Sequence, residues 1–118
     1  MADRIDLFDP TVLDELITRI GLPRQVFVYV SSDGSVSNAP GQLTTTGSLV
    51  GAGVYELTAP VGYTWFAAVG SGVASGAPRT VNCNRNNPGG RILRVYTFNE
   101  AGSPAGFEHN IMGLLVPA

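Results

Sequence analysis

The chain contains no lysine; its seven basic residues are all arginine, set against nine acids, for a net charge of −2 over 118 residues. That balance gives no general pull toward nucleic acid or an anionic membrane. There is one cysteine, Cys83, so no intrachain disulfide and no cysteine-based metal site is expected. There is one histidine, His109, and the acids are dispersed, so no metal-ligand spacing is recognisable and no cofactor is expected. No stretch approaches the roughly 18–20 apolar residues of a membrane span. The opening MADRIDLFDP is acidic and lacks the apolar run of a secretory signal. These absences lead to the expectation of a soluble protein made in a cytoplasm.

What is present fits one domain. A chain of this length should bury roughly 65% of its unfolded surface, enough for a core without staples. Charge is uneven. Residues 1–22 hold Asp3, Asp6, Asp9, Asp14 and Glu15 against Arg4 and Arg19, while residues 23–118 hold four acids and five arginines. The chain is therefore read as an N-terminal segment, 1–22, followed by a body, 23–118.

The N-terminal segment carries the one clear helix signal, over residues 9–20. Asp9 suits the cap and Pro10 the first helical position. Phe8 and Leu13 fit a hydrophobic staple, and Gly21 and Pro23 end the helix. Val12, Leu13, Leu16, Ile17 and Ile20 lie on one face. Such a short helix does not hold itself in water, so this stripe must dock, within the subunit or between subunits.

From Gln25 the period changes to two. Val26, Val28 and Val30 alternate with Phe27 and Tyr29, which makes both faces bulky and suits a strand that also faces a partner. Asp33-Gly34 marks a turn, and LTTTGSLV an edge strand. Further strands are expected over 54–59, 63–69, 79–85 and 92–98 and from Phe107 to Val116. In 63–69, Tyr63, Trp65, Ala67 and Val69 are assigned to one side. Ile92–Phe98 and Phe107–Val116 read as a closing hairpin. Six or seven short strands between Gly, Pro and Asn turns spell an antiparallel all-β sandwich with a short N-terminal helix.

Catalytic signals are thin. His109 has no nucleophile elbow to serve, and Cys83 falls among inward positions, where a lone cysteine is a small apolar filler. Gly70-Ser71-Gly72 follows an apolar strand but lacks the spacing of a phosphate loop, and 70–78 reads as a flexible loop. Arg79, Arg85, Arg91 and Arg94 come from adjacent strands, yet in a near-neutral protein they read as surface or intersubunit pairs rather than a nucleic-acid stripe. Trp65 with Tyr63 and Tyr55 offers a stacking surface for a sugar, although a lone strand tryptophan more often fills a core.

One resemblance rests on the last third of the chain. Val95, Thr97 and Phe98 end one strand, Gly102 and Pro104 occupy the turn, and Phe107 opens the next. With the Asp33-Gly34 turn after VFVYVS and the run Gly51–Leu57, residues 25–116 resemble the small β-sandwich module near the C-termini of tailed-phage tail-fibre and minor structural proteins. The resemblance implies a non-enzymatic structural component of a virion, made in the host bacterial cytoplasm. That family's modules usually end longer proteins, and here only a helix stands in front. The expectation is therefore a capsid decoration or tail accessory protein, assembled as a homotrimer and attached to capsid or tail proteins through the N-terminal segment. Phe27, Tyr29 and Arg94 are the expected interface residues of the body, because aromatics and arginine are enriched at such contacts. The alternative is a receptor- or glycan-binding module of the adsorption apparatus, using the 70–78 and 35–50 loops with Trp65 and Tyr63.

Overall fold

The computed structural model describes residues 11–12, 23–73 and 79–118. Of the expected N-terminal helix, only Thr11 and Val12 fall among them, and Val12 is half-buried. Leu13, Leu16, Ile17 and Ile20 lie outside the described residues, as do residues 74–78.

The body is all β and forms two four-stranded antiparallel sheets. Sheet A has the order β2 (Val36–Asn38), β1 (Arg24–Val30), β8 (His109–Pro117), β5 (Tyr63–Gly72). Sheet B has the order β3 (Thr46–Gly51), β4 (Val54–Thr58), β7 (Ile92–Phe98), β6 (Thr80–Gly89). Alternation along each strand explains why the sheets stack. Val26, Val28, Val30, Ile111 and Leu115 of sheet A are buried against Tyr55, Leu57, Leu93 and Val95 of sheet B. Val81 and Cys83 pack at the margin of this core on the face expected for them.

Three hairpins build the sheets: β1–β2, β3–β4 and β6–β7. The first turns at Asp33-Gly34, as expected. The Asp33 carboxylate accepts hydrogen bonds from the Ser35 amide (2.9 Å) and hydroxyl (2.7 Å), and Gly34 takes φ 94°, a conformation that disfavours any side chain. The other connections cross between the layers.

The closing hairpin does not form. β7 is hydrogen-bonded on both sides, by β4 and β6, and β8 on both sides, by β1 and β5. The segment 99–108 is long enough to step from one layer to the other, about 10 Å away. It is pinned internally. Asn99 Oδ1 accepts from the Ala101 and Ser103 amides (3.0 Å each), and the buried Thr97 hydroxyl donates to the Ala105 carbonyl.

Two further corrections concern β5. Gly70–Gly72 belong to this strand, not to a loop, and pair with Ile111, Asn110 and His109. The register also slips between Trp65 and Ala67. One extra residue reverses every later side chain. Trp65 and Ala68 therefore face the core, while Ala67 and Val69 face outward, opposite to a strict alternation. Phe66, at the irregularity, lies beside Cys83 and Arg85 at the β5–β6 corner. Gly113 in β8 makes room for the tryptophan: a Cβ there would overlap Trp65 Cζ3.

Candidate functional site: an uncharged sheet face

The outward side chains of the two sheets differ in kind. On sheet B, Glu56 and Arg94 stand opposite each other on β4 and β7, with Nη2 to Oε2 at 2.6 Å. The Glu56 hydrogen bond holds the Arg94 guanidinium above its ordinary pKa. Asn82 and Asn84 of β6 and Ser48 of β3 flank this pair. Val54, Ile92 and Tyr96 stand half-buried on the same side, so this face is mixed, with one ion pair set among polar and apolar side chains.

On sheet A the pleat aims three rows outward. Gln25, Leu114 and Ala67 form one row, then Phe27, Met112 and Val69, then Tyr29, Asn110 and Ser71, with Ser37 of β2 beside Tyr29. No outward position in these three rows, nor Ser37, is charged. The middle row is apolar and open: Phe27 is 45% exposed, Met112 40% and Val69 60%. Glu108 lies just beyond the start of β8, at the rim, where its hydrogen bond and charge raise the Tyr29 hydroxyl pKa.

A shallow recess of about 630 Å³ lies over this face, lined by Phe27, Tyr29, Val69, Ser71, Asn110 and Met112. A smaller one, about 240 Å³, continues along it over Ala67 and Leu114. The short β2 leaves part of β1 without a ladder partner. Gln42 reaches back there, its Oε1 accepting from the Phe27 amide at 2.7 Å. The backbone under the recess is thus hydrogen-bonded, and the open part is side-chain surface.

The expected site residues divide. Phe27 and Tyr29 share this face. Arg94 is on the opposite one. Trp65 (3% exposed) and Tyr63 (9%) are core residues, and Trp65 Nε1 donates to the Leu57 carbonyl at 3.1 Å. Neither is a stacking platform. Met112, Val69, Asn110 and Leu114 escape a reading of the sequence alone. The signal for Met112 and Asn110 is the alternation within HNIMGLLV. The signal for Val69 is hidden by the slip in β5.

The four arginines do not converge on one partner. Arg91 donates twice to the Ala59 carbonyl (3.1 and 2.9 Å), Arg79 sits 4.8 Å from the Phe107 ring centroid, Arg85 5.6 Å from that of Phe66, and Arg94 pairs with Glu56. His109 is buried. Its Nδ1–H donates to the Phe107 carbonyl at 2.8 Å, and the Tyr55 ring stands edge-on, 4.7 Å between centroids. Burial pushes its pKa below the usual histidine value. Burial also raises the Cys83 thiol to about 11, so the two make no thiolate–imidazolium pair. No group of three or more potential ligands gathers among the described residues, nor does any helix there reach the length and apolarity of a membrane span.

No family model, curated protein or solved structure matches the chain. The class that fold and face define is an all-β sandwich of two four-stranded sheets, with an ion pair at the centre of one outer face and three uncharged rows on the other.

Proposed function

We propose that the protein is a non-enzymatic structural component of a tailed-phage virion, a capsid decoration or tail accessory protein that acts as a homo-oligomer. The observation that carries this reading is the contrast between the two outer faces. Sheet B carries an ion pair at the centre of its outer face, and the three outward rows of sheet A carry no charge. A contiguous uncharged patch centred on Phe27, Met112 and Val69 is the composition of a protein interface core. The phage assignment draws on the resemblance of residues 25–116 to tail-fibre and minor structural modules.

Cementing by buried surface is the mechanism. A subunit needs no chemistry beyond matching faces, and repetition on a lattice multiplies each contact through effective concentration. The glycan-binding alternative loses its proposed stacking residues, because Trp65 and Tyr63 are enclosed. Purified particles of a tailed phage that encodes the chain should contain it in many copies per particle by quantitative mass spectrometry. Expression during infection without incorporation into particles would refute the assignment.

A further inference from the structure

We infer that the outer face of sheet A is one wall of a three-sided prism completed by two further copies of the same chain. This rests on the reading of that face as a covered surface and names what covers it.

Three observations point to self-association about a threefold axis. The first is charge. The three rows carry no charge, so like charges would meet only at the rim, where Glu108 is hydrogen-bonded to Tyr29, whereas a face such as that of sheet B, centred on Glu56 and Arg94, would need a fixed register. The second is width. Sheets pack face to face about 10 Å apart, so each supplies a side-chain layer about 5 Å deep. Three sheets each about 5 Å from an axis enclose a triangle with sides of about 17 Å. Four strands at about 4.8 Å spacing span roughly 19 Å, a close match.

The third is the distribution of side-chain size. The two central strands carry the large outward residues: Gln25, Phe27 and Tyr29 on β1, and Leu114, Met112 and Asn110 on β8. The outer strands carry small ones: Ala67, Val69 and Ser71 on β5, and Ser37 on β2. In a triangular prism the gap is deepest opposite the middle of each wall and closes toward the corners. Large residues at the centre and small residues at the edges fit that shape. A twofold sandwich has nearly uniform depth and requires no such gradient. Phe27 and Met112 then approach the axis, and the neutral row Tyr29–Asn110–Ser71 supplies hydrogen-bonding groups that fix the register.

The face has a plan area on the order of 440 Å² per copy, about half of what one partner contributes to a standard interface. The trimer is therefore expected to dissociate on dilution. The test is light scattering on the full chain, from about one to a few hundred micromolar. The expected result is a rise from one to three times the chain mass. Phe27→Asp and Met112→Asp, each placing three carboxylates near the axis, should both hold the mass at one chain. Asn82→Asp, on the sheet B face, should leave the trimer intact. The emission of buried Trp65 reports that each variant is folded.

A mass limited to two chains would overturn the threefold arrangement while leaving a covered face. A trimer that survives both Phe27→Asp and Met112→Asp would overturn the use of this face. A folded wild-type monomer at every concentration would overturn self-association. In that last case, presence or absence in virions decides the functional reading separately.

Discussion

His109 should make the fold acid-sensitive in a defined way. Its ring is fully buried between Tyr55 and Phe107, one nitrogen donates to the Phe107 carbonyl, and the buried Nε2 has no hydrogen-bond partner. Protonation would create a charge and an N–H with no acceptor there. The folded-state pKa is accordingly below the unfolded value of 6.5. With a depressed histidine pKa, the unfolded chain binds the proton first. Stability is thus full above the unfolded pKa and declines as pH falls below it, by up to about 1.4 kcal/mol per pH unit until the folded pKa is reached. The decline therefore falls in the window just below the unfolded pKa, as pH drops from about 7 toward the folded pKa. Urea melts at fixed protein concentration, followed by Trp65 emission, measure it directly. His109→Gln should be less stable at neutral pH but should lack this component of the slope. A wild-type stability that is flat over this range, or an equal slope in His109→Gln, would refute the argument.

The same packing sets three smaller effects. Thr97→Val keeps the shape of a fully buried side chain but strips the Ala105 carbonyl of its hydroxyl partner, while the Gly53 carbonyl keeps the Thr97 amide, and should cost about 1–3 kcal/mol in a denaturant melt. Gly113→Ala drives a methyl into the Trp65 ring, and overpacking of this kind costs about 1–3 kcal/mol with a shift in the tryptophan spectrum. Cys83, with its thiol raised to about 11, should react with a disulfide reagent near neutral pH far more slowly in the folded protein than in urea.

Much of the architecture is legible in the sequence because burial on one face imposes a period of two. The alternations Val26–Val28–Val30, Tyr55–Leu57–Ala59 and Val81–Cys83 all point inward as the pattern implies. The turn at Asp33-Gly34 is legible because its chemistry is local. Pairing is not. Nothing in Ile92–Phe98 or Phe107–Val116 states that each already has two partners elsewhere, so neighbours in sequence look like neighbours in space. β2 escapes because three residues carry no periodic signal. The reversal in β5 escapes because a bulge leaves no mark in YTWFAAV. That single slip hides Val69, and with it the row joining Phe27 to Met112. Tyr29 and Phe27 themselves are legible, since bulky residues on the second face of an alternating strand need a reason. Arg94 is singled out by residue type alone, and its partner Glu56 is settled by register.

The strand order also sets when each part of the molecule can come into being. Sheet B is contained within residues 46–98, so it has all its partners before the segment 99–108 is made. Sheet A does not. β1 and β5 are joined only through β8, and Arg24 of β1 pairs with Leu115. On a ribosome adding about 5–20 residues per second, the edge of β1 with Phe27 and Tyr29 waits roughly 4–16 s for its central partner. Until then a strand with two apolar faces and an unpaired edge stands next to others like it on a polysome. Sheet B completes its strand pairing early, but its inner residues Tyr55, Leu57, Leu93 and Val95 also wait for His109–Pro117 to close the layer that covers them.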